Sequence, residues 1–272
     1  MSNRHRANIE RGPSGKRGAI PFFDAIAEQY LGVYGENSLY GYVMRTRRAH
    51  VLDLLGRITG RVLDVGCGPG AMTREILDTG CEFWGVDGSP RMIAEGRRRF
   101  GYSTRAHFAA ADAAALPFSD SIFDGALCVG VIDRAQQPEA IVAELGRVLK
   151  PGAPLVMAFP NLLSPYALWR SHVFYAGIGY LRRLQARLWQ RPRRLDLCSA
   201  ARLWTPGDAR RVVEMQVGTV SAFAYYHFSV FLAPLDELLP TAALATARRL
   251  ERLQDTRLRW LGAGFLVKAQ KN

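Results

Sequence analysis

The apolar positions along the chain alternate between short runs of strand-favouring residues and segments with helical spacing. The pattern predicts, in order, strand 62–65, helix 71–79, strand 82–86, helix 90–99, strand 105–109, strand 123–130, helix 138–149 and strand 154–159. Strands that alternate with helices of about ten residues form crossover units, and crossover units build a parallel sheet that is covered on both faces. We therefore expect an α/β domain that binds its ligands at the carboxyl ends of the strands.

Further elements flank this core. Helical spacing is found at 21–31 and 42–55 before it, and the pattern after it predicts a helix from 205 to 215, a strand over 217–226, a long helix over 235–253 and a final strand over 262–269. Residues 1–18 are basic and polar, with no apolar stretch typical of a signal peptide. We expect them to form a flexible basic tail.

The stretch 61–70 joins the first predicted strand to its helix. Its strand residues are apolar apart from Asp64, and Gly66, Gly68 and Gly70 follow at alternate positions. A strand that ends in a glycine turn brings the chain to a helix N-terminus, where free backbone N–H groups attract an anionic ligand group. The stretch therefore predicts a cofactor-binding loop. A dinucleotide-binding loop would read Gly-x-Gly-x-x-Gly, so the spacing counts against NAD.

Acidic residues accompany the first three strands at the same edge of the predicted sheet. Asp64 lies in the first strand, Asp87 follows the second, and Asp112 lies just beyond the third. Each alone is compatible with a helix N-cap or a turn, which aspartate favours. Three together at one edge indicate a ligand site, and an acid after the second strand is typical of sites that hold a ribose by its hydroxyls.

Four ordered motifs then carry a resemblance that covers about residues 20–160. They are Val62–Gly70, Gly85–Met92, Ala111–Asp124 and Glu144–Gly152. Together they resemble class I S-adenosylmethionine-dependent methyltransferases of the small-molecule, ubiquinone-biosynthesis-like type. The resemblance implies S-adenosyl-L-methionine as cofactor and a Rossmann-like, doubly wound, mostly parallel seven-stranded sheet with an antiparallel last strand. We expect one domain over 19–272, with a helical cap at 19–58 and a substrate-side insertion at 160–205 after the fifth strand.

The resemblance also implies roles for single residues. The methionine end of the cofactor would be held by Asp64 and the backbone of Gly66, Gly68 and Gly70, the ribose by Asp87, and the adenine by Asp112 and the backbone of Ala113. Val129 and Gly130 would line the methionine side, and Tyr30 of the helical cap would close over the cofactor. Carboxylates accept two donors at once, and glycine lets backbone approach a ligand closely.

A general base is less clearly indicated. Many relatives show Glu-His after the fourth strand, whereas this chain reads Val131-Ile132-Asp133-Arg134, so a role of that histidine is not carried over. A methyl donor needs an aligned acceptor, exclusion of water and, for a hydroxyl, removal of a proton. The candidate bases are His172, His227 and Asp133, with Tyr226 behind them. A lone histidine near aromatic residues is, however, more often a packed core or surface residue.

The charge of the chain admits two interpretations. A net charge of +12 and a pI near 10.0 attract polyanions, but arginine-rich composition alone also produces such values.

Nucleic-acid amine methyltransferases usually show Asn/Asp-Pro-Pro-aromatic after the fourth strand, and Gly130–Asp133 departs from that pattern. We therefore expect no specific nucleic-acid partner.

The insertion at 160–205 is rich in aromatic residues and arginine. Apolar residues at helical spacing within 169–194, with arginines beside them, are typical of an interfacial helix that contacts a membrane. The other interpretation is a substrate lid that packs on its own domain. Either one favours a lipophilic small-molecule acceptor.

The four cysteines show neither zinc-ligand nor disulfide spacing, so we expect no metal and a cytoplasmic protein, with peripheral contact at the inner membrane face as an alternative.

The sequence predicts a methyltransferase that acts on a lipophilic small molecule, with O-methylation favoured over N- or C-methylation. A peripheral phospholipid or glycolipid methyltransferase is one alternative. A non-catalytic S-adenosylmethionine-binding partner protein is another.

Overall fold

The computed structural model describes residues 19–170, 202–232 and 235–272. Its sheet contains seven strands: β1 Arg61–Val65, β2 Glu82–Asp87, β3 Ala106–Ala110, β4 Gly125–Cys128, β5 Pro154–Pro160, β6 Gly218–Tyr226 and β7 Gly264–Lys271. The strand order is β3-β2-β1-β4-β5-β7-β6. The first five strands pair in parallel, and β7 is antiparallel to both of its neighbours. The predicted seven-stranded α/β fold with an antiparallel last strand is confirmed.

Helices cover the sheet and its edge. They are α1 Ala19–Ile26, α2 Gly32–Gly35, α3 Leu39–Leu55, α4 Thr73–Asp78, α5 Pro90–Phe100, α6 Pro138–Val148, α7 Pro165–Leu168, α8 Pro206–Gln216, α9 Leu235–Leu238 and α10 Pro240–Leu250. Two short 3₁₀ helices, Glu251–Asp255 and Arg259–Leu261, lead into β7. Among the described helices, none is long and apolar enough to cross a membrane.

The starts of several helices follow local capping chemistry. The side chains of Ser38, Ser89 and Thr205 accept backbone N–H groups two or three residues into their helices, at 3.0 to 3.1 Å. Helices α5, α6 and α8 each begin on a proline, whose fixed φ suits the first turn. These signals explain why the predicted starts of these helices lie close to the observed ones.

Three predicted elements differ from the structure. The helix predicted over 21–31 ends at Ile26, and the strand predicted over 123–130 is limited to β4. The long helix predicted over 235–253 is interrupted, because Pro240 lacks the N–H that would continue α9 and begins α10 instead.

Two apolar layers enclose the sheet. On one face, residues of α6 and α8 pack on side chains that include Leu63, Phe123 and Phe265. On the other face, α3, α4 and α5 pack on side chains that include Val62 and Phe83. Because successive strand residues point to opposite faces, Asp64 projects to the same face as Val62, towards α3.

Candidate active site

The glycine loop, residues 66–70, closes onto the end of β2. The N–H groups of Gly66 and Cys67 both donate to the carbonyl of Val86, at 2.8 and 3.1 Å. Gly66, Gly68 and Gly70 all have positive φ, at 75°, 53° and 85°. This left-handed backbone favours glycine at each of the three positions.

The three glycines differ in the room that each leaves for a side chain. A Cβ added to Gly66 would overlap the side chain of Val131, and one added to Gly70 would lie 2.5 Å from Thr73 Oγ1. At Gly68 the nearest atom to an added Cβ is Cε1 of Tyr30, at 3.8 Å. A side chain would therefore clash at Gly66 and Gly70, whereas at Gly68 it would make only ordinary van der Waals contact with Tyr30 and Met92.

The carboxylate of Asp87 joins the glycine loop to the start of α5. Its Oδ2 accepts the N–H of Gly68 at 2.9 Å, and its Oδ1 accepts the N–H of Ser89 at 2.8 Å. Burial raises the pKa of Asp87, while these two backbone donors act to lower it. Each carboxylate oxygen keeps a further lone pair, which suits a pair of hydroxyl donors.

Asp64 is the most deeply buried acid of this region. Its relative exposure is 2%, and no donor among the described residues forms a hydrogen bond with its carboxylate. Burial and the nearby charge of Asp87 raise the pKa of Asp64 to about 7. A buried carboxylate without a donor fits a ligand that brings N–H groups, as the amino group of an amino-acid moiety does.

The helical cap is held over the glycine loop by α1. Asp24 Oδ1 accepts hydrogen bonds from Ser89 Oγ at 2.5 Å and from the N–H of Arg91 at 3.2 Å. Phe22, Ile26 and Ala27 pack on Met92, with the ring of Tyr30 against them. Burial raises the pKa of the Tyr30 phenol, and the Tyr30 ring lies over Gly68.

Asp112, Ala113 and Val129 lie around the same loop. The N–H of Ala111 donates to the carbonyl of Asp87 at 3.1 Å, which brings Asp112 and Ala113 to the end of β2. Asp112 Oδ1 accepts the N–H of Ala114 at 2.9 Å and is exposed. The β1–β4 register pairs Val65 with Cys128, so Val129 follows beside Gly66. The structure thus gathers all the predicted cofactor residues at one edge.

Arg47 is a charged residue of this region that the sequence analysis missed. Its guanidinium donates to Met44 Sδ at 3.2 Å and lies 3.7 Å from the position of a Cβ added to Gly130. Burial acts to lower the pKa of Arg47, but the phenols of Tyr226, Tyr34, Tyr30 and Tyr40 raise it overall.

Among the described residues, no carboxylate forms an ion pair with the half-buried guanidinium of Arg47. The available signal was its position, because Arg47 lies four residues from both Val43 and Val51, which are buried residues of α3.

The candidate bases do not lie together. His172 lies outside the described residues. Asp133 follows β4, and its buried Oδ1 has no hydrogen-bond partner in the described residues. His227 follows β6, three strands away in the sheet, a separation of roughly 14 Å. The strands that precede the two residues are therefore not neighbours in the sheet.

His227 has an unusual environment. Its φ is 61°, its ring lies 4.7 Å from the ring of Tyr166 between centroids, and its buried Nε2 has no partner among the described residues. Burial, followed by the positive charge of Arg170, lowers the pKa of His227 to about 3. The imidazole is therefore neutral at pH 7 and a weak proton acceptor.

A second polar cluster ties the start of the insertion to α9. Tyr166 Oη donates to Asp236 Oδ2 at 2.9 Å, and Arg170 donates to Tyr166 Oη at 2.6 Å and to Asp236 at 3.3 Å. Together with His227, this cluster borders the site on the side of β5, β7 and β6. No group of three metal-ligating side chains occurs within the described ranges.

Comparisons with known proteins find similarity to methyltransferases. Residues 62–152 match a family model described as a methyltransferase domain. The chain is 34% identical over 154 residues to a demethylmenaquinone methyltransferase of Renibacterium salmoninarum, which is 56% of this chain and 62% of that protein. It is 36% identical over 120 residues to a malonyl-[acyl-carrier protein] O-methyltransferase of Enterobacter lignolyticus, 44% of this chain and 46% of that protein. Both matches span less than two thirds of the relative.

A solved structure with the same fold contains a cofactor product. The geranyl diphosphate C-methyltransferase from Streptomyces coelicolor, in complex with Mg²⁺, geranyl diphosphate and S-adenosyl-L-homocysteine, superposes with a TM-score of 0.56. The comparison covers 90% of this chain and 82% of that one at 15% identity, so it concerns the fold alone.

Proposed function

We propose that this chain, which belongs to the class I S-adenosylmethionine-dependent methyltransferases, transfers a methyl group from S-adenosyl-L-methionine to a hydroxyl of a lipophilic small molecule. The observation that carries the proposal is the glycine loop at Gly68, which lies beneath Tyr30, is hydrogen-bonded to Asp87 and is close to the donor-free carboxylate of Asp64. These groups match the polar ends of this cofactor. When bound, the cofactor supplies an electrophilic methyl carbon on its sulfonium.

Each group of the site has a proposed task. Asp87 accepts the ribose hydroxyls, Asp112 and the backbone of Ala113 contact the adenine, and Asp64 accepts the amino group of the methionine end. Arg47 supplies the positive charge for the carboxylate of that end, because its half-buried guanidinium has no carboxylate partner among the described residues. Tyr30 covers the ligand and excludes water, which strengthens each of these contacts.

The acceptor would bind on the side of β4 and β5. A hydroxyl that is methylated loses its proton as its oxygen bonds to the methyl carbon, so a proton acceptor must lie within hydrogen-bond reach. We assign that role to Asp133, whose buried Oδ1 has no hydrogen-bond partner in the described residues. Asp133 lies two residues after Val131, and the side chain of Val131 packs against Gly66. His227 would orient a further polar group of the acceptor through Nε2.

The nature of the acceptor is supported by two observations. Two of the relatives described above are named for a demethylmenaquinone acceptor and a malonyl-[acyl-carrier protein] acceptor. Tyr226 and Phe228, which flank His227 in the chain at the end of β6, are buried aromatic residues. A small lipophilic molecule fits this side better than a polyanion does.

Label transfer tests the proposal. The purified chain is incubated with S-adenosyl-L-methionine labelled in the methyl group and a panel of quinols, lipids and polyketide phenols, with Asp133→Asn as the matched variant. We expect label on an oxygen of one class of acceptor, and a transfer rate that falls in the variant while cofactor affinity is kept. Calorimetric cofactor binding without transfer to any acceptor would favour a non-catalytic cofactor-binding protein instead.

A further inference from the structure

Large apolar side chains are exposed mainly at one end of the domain. Among the described residues, twelve such side chains are exposed, and nine of them lie in the connections that follow β5, follow β6 and precede β7. These nine form what we name the apolar rim: Leu163, Leu168, Trp169, Val230, Leu235, Leu238, Leu239, Leu258 and Trp260. Exposed apolar surface that is concentrated in this way marks an interaction site.

The three connections form one continuous surface. Ser164 Oγ donates to the carbonyl of Leu261 at 2.8 Å, which joins the first connection to the third. Tyr166 Oη donates to Asp236, which joins the first to the second. Met215 and Tyr102, the most exposed apolar side chains outside the rim, precede β6 and β3 and therefore lie at the opposite edge of the sheet.

Arginine side chains accompany the rim. Arg257, Leu258, Arg259 and Trp260 are consecutive and all exposed, so cationic and apolar side chains alternate along this segment. Arginine beside leucine and tryptophan suits the boundary of a lipid bilayer, where the apolar side chains enter the acyl region and the guanidiniums contact anionic headgroups.

We propose that the apolar rim and its arginines dock this domain on a bilayer surface that contains anionic lipid. The docked face also borders the cluster of Tyr166, Asp236 and His227, so the domain would meet the membrane with the side on which the acceptor is proposed to bind. Docking needs neither cofactor nor methyl transfer, so its test is independent of the proposed reaction.

Vesicle co-sedimentation of the full chain tests this docking. At low ionic strength we expect the chain to bind vesicles of phosphatidylcholine with phosphatidylglycerol, and to bind pure phosphatidylcholine much more weakly. The double variant Leu238→Glu/Trp260→Glu is expected to bind at least about tenfold more weakly, since it removes apolar contacts and adds negative charge. Arg257→Gln/Arg259→Gln should lose about fivefold for each arginine.

Matched variants away from the rim separate docking from general attraction by a basic protein. Met215, which is 73% exposed, allows Met215→Glu as the apolar control, and Arg210→Gln/Arg211→Gln on α8 is the charge control. Both should bind anionic vesicles nearly as well as the parent chain. Methyl transfer to a dispersed acceptor should be unchanged in the rim variants.

Brominated lipid gives a second readout that needs little change to the chain. Quenching of tryptophan fluorescence by vesicles with brominated acyl chains should be strong in the parent chain and weaker in Trp260→Phe. Absence of binding to anionic vesicles, or an equal loss in Met215→Glu, would overturn the proposal. A dimer in solution that Leu238→Glu dissociates would assign the rim to a second copy of the chain instead.

Discussion

Replacement of Asp64 by Asn is expected to stabilise the free protein above pH 7 and at the same time to weaken its binding of S-adenosyl-L-methionine. The folded protein raises the pKa of this carboxyl from 3.8 to about 7, by burial and then by the charge of Asp87. The folded state therefore retains a proton that the unfolded chain has already lost. The contribution of Asp64 to stability is most favourable below about pH 4 and declines as the pH rises to 7.

The magnitude follows from the two pKa values. Each pH unit between them corresponds to about 1.4 kcal/mol, so ionisation of Asp64 in the free protein costs about 4 kcal/mol at most. Asparagine carries no charge and does not have this cost. It does retain polar atoms that need partners, and we therefore expect a net gain of about 1–3 kcal/mol above pH 7.

Urea unfolding without cofactor, at pH 5 and at pH 8, measures this effect. The parent chain should lose more stability between the two values than Asp64→Asn does, by about 2–3 kcal/mol. Asp53→Asn, an exposed position on α3, serves as control and should follow the parent chain. Calorimetry at pH 8 should show cofactor binding weaker by about 1–3 kcal/mol in Asp64→Asn.

Two results would contradict this reasoning separately. An equal pH dependence of stability in the parent chain and in Asp64→Asn would mean that the carboxyl is ionised throughout, so burial would not raise its pKa. Unchanged cofactor affinity in Asp64→Asn would leave the stability argument intact but remove Asp64 from the cofactor site.

Three further predictions concern the same edge of the sheet. Asp87→Ala should weaken cofactor binding by about 1–3 kcal/mol in calorimetry, and unchanged affinity would refute the ribose assignment. Gly66→Ala and Gly68→Ala should each lower the free energy of unfolding by about 1 kcal/mol, because both positions have left-handed backbone. Urea unfolding should show a larger loss for Gly66→Ala, because its Cβ would also overlap Val131. Equal losses in the two variants would contradict the packing described. Arg47→Gln should weaken binding of S-adenosyl-L-homocysteine by about 1.5–3 kcal/mol, yet leave binding of 5′-methylthioadenosine, which lacks the carboxylate, nearly unchanged. An equal loss for both ligands would exclude the carboxylate contact.

The residues of the proposed cofactor side could be predicted to lie together because their sequence signals are local. The spacing of Gly66, Gly68 and Gly70 after an apolar run indicates a strand, a turn and a helix within ten residues. Parallel strands then bring Asp87 and Asp112 to the same edge without any further information. For this reason the fold, and the gathering of these residues at one edge, follow from short stretches of chain.

Arg47 shows where local signals end. The sequence predicts the helix that carries Arg47. Whether its guanidinium faces solvent, a carboxylate or a ligand depends on residues far away in the sequence. In the structure the phenols of Tyr30 and Tyr226 reach it from the cap and from β6, which are separated by almost two hundred residues of chain. Only the assembled sheet places Gly130 beside it.

The acceptor side depends on strand order rather than on motifs. Because β7 lies between β5 and β6, the connections after β5, after β6 and before β7 all meet at one edge, although they are distant in sequence. Were β6 to pair directly with β5, Asn161 could not donate to the carbonyls of Trp260 and Gly262, as it does at 2.8 Å in this structure. The inserted last strand therefore brings together Tyr166, Asp236 and the apolar rim. A sequence pattern that predicts each strand correctly still leaves that assembly undetermined, since the same seven strands in another order would separate these groups.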